Sequence, residues 1–478
     1  MKKKVLVILA GMLLLAAPAI AEEIPQGTST APAYNCDYQP SCEVAPGFYG
    51  KMDSPVKSKF NLSIGGFVRL DYSYNSQNLG VNGFFLPGAP GGGLPAVGTA
   101  KYREDQSEFT ARISRFWLKV AGPTFLGAKT NALIEADFLG LVASGSTPAA
   151  INENGFLRMR LAYGTIDWPN TQVLFGQNWD IFGPAVAGTV DFRQGATFGT
   201  PNSPRVPQIR VTQKIPFNDN NSLKLVLGVQ NPVQDDTGIV GGGGGSIPNV
   251  AGQLMFVSKA LGVAPGTFGL SMNSLQAGVF GLWGSEKLAT THSVDVYGYG
   301  AYAFVPLLKS SDGKSRAMTA SLEGQAYIAS GMNWSGATAS TTAASATDAT
   351  ASNLIPGSNT TNKGYGAYGQ IIFYPIQDLG ITAGYERRNA MNYGALAHTN
   401  TAAVPFNPVT GAAAVAQFAF EEYNELIYAN AAYDLNAAVR VAGEYMHGKT
   451  QYGGLNGSGA TKDFGQLNAV RVAAYYFF

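Results

Sequence analysis

Arginine and large apolar side chains alternate in residues 156–163, which read Phe-Leu-Arg-Met-Arg-Leu-Ala-Tyr. A period of two is the period of a β-strand, so Arg158 and Arg160 share one face. The other face carries the apolar members of the run, Leu157, Met159, Leu161 and Tyr163. Guanidinium groups bind carboxylates through paired hydrogen bonds. A strand with arginines on one side and apolar groups on the other indicates a wall between water and lipid.

A segment without strand pattern follows soon after this arginine pair. Strand pattern over residues 173–180 gives way to a stretch rich in glycine and proline at 183–204, and strand pattern returns at 208–212. This order predicts two strands that flank a loop folded into the narrow part of a passage. The residues predicted to line the passage are Arg115 (placed inward by a bulge), Arg158, Arg160, Asp180, Asp191, Arg193, Arg205 and Arg210.

The sequence leaves two interpretations of these charges open. In the first, the arginines outnumber their acidic neighbours, and the constriction attracts anions by focusing a positive field. In the second, Asp180, Asp191 and Glu135 face the arginines and produce a transverse field with only mild selectivity. Some arginines pair with acids in either case, because an unpaired charge beside a low-dielectric wall is costly.

Composition narrows the class of protein. The 478 residues include 59 Gly and 23 Tyr, only 13% are charged, and the mean hydropathy is +0.02. Glycine and aromatic residues suit β structure here, and near-zero hydropathy disfavours a helical membrane protein. With 32 basic against 31 acidic residues, the bulk charge does not indicate a nucleic-acid partner.

Residues 1–21 have the pattern of a secretory signal peptide. Three lysines at positions 2–4 precede an apolar run at 5–17, and residues 19–21 read Ala-Ile-Ala. The apolar run is shorter than the roughly 20 residues of a membrane-spanning helix. No other run in the sequence is long enough, so any membrane spans are expected to be strands.

Residues 22–59 form a predicted periplasmic extension that contains both cysteines. Cys36 and Cys42 are expected to form a disulfide in an oxidising compartment. The alternative is a metal or haem site, but no Cys-x-x-Cys-His motif occurs, and two cysteines without a nearby histidine are poor zinc ligands. We therefore expect no metal ion and no cofactor.

Alternating segments repeat through residues 60–478, the third predicted unit. Short turns at 167–171, 216–221, 375–378 and 434–436 alternate with long loops at 75–108, 233–248, 330–362 and 390–418. Tight turns on one side and extended loops on the other are typical of outer-membrane barrels. The count is about sixteen strands, and the segment at 260–284 is the hardest to assign.

The last segment, residues 467–478, alternates strictly and ends on the aromatic Phe478. Such an ending resembles the assembly signal of bacterial outer-membrane proteins. Together with the leader and the strand count, it predicts an all-β fold. The predicted architecture is a transmembrane antiparallel β-barrel of about sixteen strands, with an inward-folded constriction loop, in the outer membrane of a Gram-negative cell.

Two stretches resemble known porins. Residues 114–120, Ser-Arg-Phe-Trp-Leu-Lys-Val, and 127–130, Gly-Ala-Lys-Thr, resemble the early hairpin of general Gram-negative porins. Residues 157–163 together with 175–182, Phe-Gly-Gln-Asn-Trp-Asp-Ile-Phe, are more similar to the DcaP-like porins. Residues 189–192 and 205–210 extend this likeness.

The resemblance implies trimers of sixteen-stranded channels that favour small dicarboxylates through basic residues in the lumen. One departure is clear. The periplasmic coiled coil of that family has no counterpart, because residues 22–59 lack heptads and carry the cysteine pair instead. Trimer stabilisation by a coiled coil is therefore not expected.

Enzymatic functions find little support in the sequence. The histidines, His292, His398 and His447, are scattered, and no nucleophile–base spacing emerges. The prediction is a porin for passive diffusion of small hydrophilic solutes, surrounded by outer-membrane lipid and favouring small anions such as dicarboxylates. A non-selective general porin, or a conduit barrel around a periplasmic partner, are the alternatives.

Overall fold

Sixteen antiparallel strands form a closed β-barrel in the computed structural model of the chain. The strands neighbour one another in chain order, and the first strand pairs with the last to close the ring. This confirms the predicted fold class and strand count. The structure describes residues 61–79, 93–140, 155–190, 198–201, 204–231, 245–288, 292–332, 361–392, 421–455 and 459–478. The predicted leader and the extension with Cys36 and Cys42 lie outside these residues.

The second strand, β2, consists of two segments that both pair with β1. The strands are β1 Asn61–Asn75, β2 Gln106–Thr110 and Arg115–Ala121, β3 Lys129–Gly140, β4 Phe156–Asp167, β5 Thr171–Trp179, β6 Arg205–Pro216, β7 Asn221–Gln230, β8 Gly245–Ser258, β9 Leu275–Leu288, β10 His292–Leu308, β11 Thr319–Ser330, β12 Lys363–Ile376, β13 Leu379–Ala390, β14 Glu421–Asp434, β15 Val439–Tyr452 and β16 Phe464–Phe477. One short helix, α1, covers Ala100–Arg103. The described ranges contain no helix that is long and apolar enough to cross a membrane.

Side chains alternate between the lumen and the outside of the barrel along these strands. On β1, Arg69 and Asp71 are buried inside, whereas Val68 and Leu70 are exposed on the outer face. The apolar outer face is suited to contact with lipid, and the polar inner face is suited to contact with water. The predicted alternation of β1 is confirmed.

The ring closes between β1 and β16. The register pairs Phe67 with Phe477, and the closing contact extends to the last residue. Gly66 N donates to the Phe478 carbonyl at 3.0 Å, and Phe478 N donates back to the Gly66 carbonyl at 3.1 Å. Closure leaves no open sheet edge. The unpaired N–H and C=O groups of such an edge would find no hydrogen-bond partners in a lipid bilayer.

A β-bulge interrupts the alternation of β4. Glu135 of β3 pairs with Leu161, but the next residue, Ala136, pairs with Met159. Arg160 is therefore the extra residue of the bulge. From Leu161 onward, each side chain of β4 lies on the face opposite to the one that strict alternation predicts, because the strand period is two.

The bulge overturns part of the predicted outer face. Leu161 is only 4% exposed and packs inside the barrel with Leu133 and Trp179, with the half-buried Tyr163 against them. The prediction that Leu161 and Tyr163 face outward is therefore wrong. Leu157, before the bulge, is 63% exposed on the outer face, as predicted.

The connection between β5 and β6 folds into the barrel as predicted at its described residues, 180–190, 198–201 and 204; we call residues 180–204 the constriction loop. Hydrogen bonds hold its tip against the opposite wall. Gly188 N donates to Gln370 Oε1 of β12 at 2.8 Å, and Val190 N donates to Glu444 Oε2 of β15 at 2.7 Å. On the other side of the tip, Arg69 Nη2 of β1 donates to the Val190 carbonyl at 2.7 Å.

An apolar surface fixes the rest of the constriction loop. Its buried side chains are Ile181, Phe182, Ala185, Ala187 and Phe198. They share one core with lumen-facing residues of β7 to β12, including Val226, Ala251, Met255, Phe280, Leu282, Tyr302, Phe304, Tyr327 and Tyr368. The same core continues onto β14, β15 and β16 through Leu426, Tyr428, Met446, Leu467 and Ala469, so the loop packs against a large part of the lumen wall.

The segment that was hardest to assign contains a second inward connection. Residues 259–274, between β8 and β9, include a small hairpin of Ala264–Pro265 and Met272–Asn273 around a 3-10 turn at Thr267–Gly269. Short connections occupy the same end of the barrel, the end assigned to the periplasm. We call residues 259–274 the periplasmic insertion.

The inward position of Leu161 can be tested by paired truncations on one strand. Leu161→Ala leaves a cavity in a packed cluster, and we expect a loss of about 2–4 kcal/mol in the free energy of unfolding. Leu157→Ala, the matched control, removes the same atoms from a surface that faces lipid and should change stability far less. Urea unfolding of detergent-folded protein measures both. Equal losses for the two variants would contradict the bulge.

Candidate pore constriction

Two arginines of β4 bind two carboxylates of β3 beside the constriction loop. Arg158 binds Asp137 with two donors, Nε to Oδ1 at 2.9 Å and Nη2 to Oδ2 at 2.6 Å. Arg160 donates from Nε to Glu135 Oε1 at 2.5 Å and from Nη1 to Asp137 Oδ2 at 2.9 Å. The bulge allows both guanidinium groups to reach Asp137, because it places Arg160 between two paired positions.

Two more arginines join them from neighbouring strands. Arg115, the first residue of the second segment of β2, lies with Nε 3.7 Å from Glu135 Oε1. Arg205 begins β6, and its guanidinium carbon lies 5.4 Å from the centre of the Trp179 ring. The Arg160 guanidinium carbon lies 5.6 Å from the same ring, so Trp179 makes cation–π contacts with both arginines.

We refer to Arg115, Arg158, Arg160 and Arg205 as the arginine group. Its four guanidinium groups face two carboxylates, Glu135 and Asp137, so the local charge is net positive. Access differs within the group, since the Arg158 side chain is 30% exposed and that of Arg160 only 1%. Arg158 is therefore the member best placed to meet a solute, whereas Arg160 holds the carboxylates in position.

The remaining predicted residues are distributed differently. Arg210 faces the lumen five residues further along β6, at the position paired with Leu174. Within the described part of the chain, Arg210 Nε and Arg205 Nη1 are buried donors without a hydrogen-bond partner. Asp191 and Arg193 lie outside the described residues.

Asp180 lies just beyond β5, outside the spanning strands, and its hydrogen-bond partners come from the constriction loop and β7. It accepts hydrogen bonds from Phe182 N at 2.9 Å and Gln230 Nε2 at 2.6 Å. Burial raises the pKa of its carboxyl to about 7, although these hydrogen bonds oppose the rise. At neutral pH Asp180 thus carries a partial charge and anchors the start of the loop.

Sequence reasoning missed most of the groups that hold the constriction loop. Asn430 Nδ2 donates to the Gly188 carbonyl at 2.7 Å, and Thr200 Oγ1 donates to Glu386 Oε2 at 3.0 Å. These partners come from β13 and β14, more than 180 residues away in the chain. Their inward position could be predicted from alternation, but their pairing with this loop could not.

A polar wall continues from the arginine group toward the periplasmic end. Asp167 at the end of β4 accepts hydrogen bonds from Asn131 Nδ2 at 2.9 Å, Thr165 Oγ1 at 2.6 Å and Gln172 Nε2 at 2.6 Å. Pairing places further polar side chains of β6 and β7 on the same inner face, namely Arg210, Thr212, Lys214 and Lys224. Toward its periplasmic end, and beyond the apolar cluster of Leu133, Leu161 and Trp179, the wall built by β3 to β7 therefore carries polar side chains.

The raised pKa of Asp180 predicts a pH-dependent stability. The folded carboxyl holds its proton more tightly than the unfolded one, with pKa values of about 7 and 3.8. The stability that depends on this carboxyl is then fully present below pH 3.8, and it falls as the pH rises to about 7. Asp180→Asn should remove this decline, measured as the melting temperature of the folded barrel by heat-dependent gel mobility.

Asp312, on an exposed turn, is the control. Its pKa is lowered by hydrogen bonds from Ser315 N and Lys314 N, which stabilise the charged form. Asp312→Asn should therefore leave the decline between pH 4 and 7 in place. A decline that persists in Asp180→Asn would show that another group causes it.

No family model and no curated protein matches the chain. Among solved structures, the outer membrane channel DcaP of Acinetobacter baumannii is similar at a TM-score of 0.59 and 19% identity, over 88% of this chain and 99% of that one. The anion-selective porin from Comamonas acidovorans aligns at a TM-score of 0.50 and 10% identity, over 88% of this chain and 100% of that one. The chain therefore has the β-barrel fold of the Gram-negative outer-membrane porins.

Proposed function

We propose that the protein is a porin through which small hydrophilic solutes diffuse passively, with a preference for small anions such as dicarboxylates. The observation that carries the proposal is the arginine group, in which four guanidinium groups meet two carboxylates beside the constriction loop. The similarity to an outer membrane channel and to an anion-selective porin supports the same class of function.

The polar wall of β3 to β7 supplies the route. The constriction loop and its apolar partners occupy the lumen from β7 to β16, so solutes pass along the remaining wall. A charged site that bound an anion tightly would slow its release, and passive flow therefore requires weak contacts. The Asp137 carboxylate already occupies part of the Arg158 guanidinium, which keeps the attraction for a passing solute weak.

A dicarboxylate gains more from this site than chloride does. Its two charges can contact separate guanidinium groups, and each carboxylate can accept two parallel hydrogen bonds. Arg158 and Arg205 come from different strands, β4 and β6, and offer two such contacts on one side of the constriction.

The ion pairs themselves favour the second candidate, a general porin. Both carboxylates of the site are engaged by Arg158 and Arg160, which reduces the field felt by a solute. A conduit around a periplasmic partner is disfavoured, because the constriction loop crosses the lumen and is bonded to β1, β12 and β15.

Recordings in planar bilayers test this proposal. The wild type should give ohmic conductance and, in a salt gradient, an anion-selective reversal potential. One unit charge acts on an ion 4 Å away with about 1 kcal/mol in water, so Arg158→Gln combined with Arg205→Gln should lower the anion-to-cation permeability ratio by at least about fivefold. The effect should be largest at low salt, because the Debye length is only about 8 Å at physiological ionic strength.

Arg387→Gln is the matched control. Arg387 lies on the outer face of β13, where its Nη1 is 3.3 Å from Glu425 Oε2 and its guanidinium carbon is 4.0 Å from the Tyr423 ring centre. Its replacement should leave selectivity unchanged. Absence of any conductance from folded wild type would overturn the porin function. A cation-selective wild type, or an unchanged double variant, would overturn only the anion preference.

We further propose that the protein assembles as a homotrimer, as its resemblance to the DcaP-like porins implies. The predicted extension carries Cys36 and Cys42 instead of heptads, so the contact between copies is expected on the outer face of the barrel. Native mass spectrometry in mild detergent should give three copies. A monomer that conducts as well as the assembled protein would contradict the trimer without affecting the channel.

A further inference from the structure

The periplasmic insertion extends along the inside of the barrel, beyond the two strands that it connects. It leaves the wall between β8 and β9, and its Phe268 belongs to one buried cluster with Ala432 of β14, Ala442 of β15 and Tyr475 of β16. In a ring of sixteen strands, β8 and β9 lie opposite β16 and β1. The insertion therefore brings a side chain from between β8 and β9 into an apolar cluster that reaches the far side of the ring near its periplasmic end.

Hydrogen bonds fix the insertion along its path. Ser321 Oγ of β11 donates to the Pro265 carbonyl at 3.0 Å, and Gln370 Nε2 of β12 donates to Thr267 Oγ1 at 3.3 Å. Gln370 also accepts the Gly188 N–H of the constriction loop through Oε1. One side chain thus holds both inward connections.

The two inward connections also touch directly. Val190, near the tip of the constriction loop, belongs to the same buried cluster as Phe268. A Cβ added at Gly188 would overlap the side chain of Thr267. The insertion therefore forms a floor beneath the tip of the constriction loop.

The wall in the cluster of Phe268 carries small apolar residues. Ala432, Ala442 and Ala473 face the lumen on the adjacent strands β14, β15 and β16, and all three are buried in the cluster with Phe268. A water-filled lumen is normally lined by polar residues. Small apolar residues at this place instead form part of the apolar cluster that contains the Phe268 ring.

The opposite sector at the same depth is polar. There the lumen faces of β3 to β7 carry the Asp167 network and the side chains of Thr212, Lys214 and Lys224. The periplasmic end of the lumen is therefore divided into a filled apolar sector and an open polar one.

Phe268 has a backbone conformation that is unfavourable for a residue with a side chain. Its φ is +57°, in the left-handed region that favours glycine. Leu126 and Met318 are the other non-glycine residues with positive φ in the described ranges, and both are exposed on turns. Phe268 differs from them because it is only 5% exposed.

We propose that the periplasmic insertion is a second constriction element and that Phe268 sets the size of the passage. The ring closes the β14–β1 sector below the constriction loop, so solutes that pass the arginine group leave along the polar wall of β3 to β7. This rests on the proposed channel function and adds a size-selective residue on a turn, far in sequence from the arginine group.

Single-channel recordings of a size series test the proposal. Phe268→Gly removes the ring and suits the positive φ, so the turn should keep its shape while the filled sector opens. Unit conductance should rise above that of wild type, and Phe268→Leu should fall between the two. Neutral polyethylene glycols of graded size should enter Phe268→Gly at sizes that wild type excludes.

Met318→Gly is the matched control. It makes the same change of backbone preference at φ +56° on an exposed turn, where the side chain is 64% exposed. Its conductance and size limit should equal those of wild type. A conducting wild type with unchanged values in Phe268→Gly overturns the second constriction and leaves the channel intact. A non-conducting wild type overturns the channel function itself.

Discussion

Hydrogen bonding of the backbone in lipid is the constraint on which the rest of this structure depends. No water is available there to an unpaired N–H or C=O, so a sheet must close on itself. The pairing of β1 with β16, completed by the reciprocal bonds of Gly66 and Phe478, meets this demand. Closure gives every strand an inner and an outer face, and the inner face then carries all the groups that a solute can meet.

The inner face is divided between side chains that hold the inward connections and side chains that line the proposed passage. From β7 through β16 to β1, lumen side chains pack against the constriction loop and the periplasmic insertion. From β3 to β7, they carry the arginine group and the polar wall. The division explains why apolar residues occur inside a barrel that is expected to conduct water. These apolar residues form a hydrophobic core inside the barrel, and burial in that core keeps the constriction loop packed against the wall.

The sequence was sufficient for the barrel, the strand count and the inward loop, because period-two patterns and turn lengths are local signals. It was insufficient where one residue changes the register. The bulge at Arg160 places Leu161 and Tyr163 inside the barrel instead of outside, and no residue type in that run indicates a bulge. Contacts across the lumen were equally hidden. Alternation places Glu444 and Asn430 inside, but only the folded barrel shows that both bind the tip of the constriction loop.

The attachment of the constriction loop has a consequence for the order of folding. Val190 and Glu444 are separated by 254 positions in the chain, and Gly188 and Asn430 by 242. Contacts between such distant segments form slowly, because a long chain must first be brought together. The loop cannot be fastened before β14 and β15 have joined the sheet. During assembly the barrel therefore passes through a stage in which its wall is largely built and its interior is still wide.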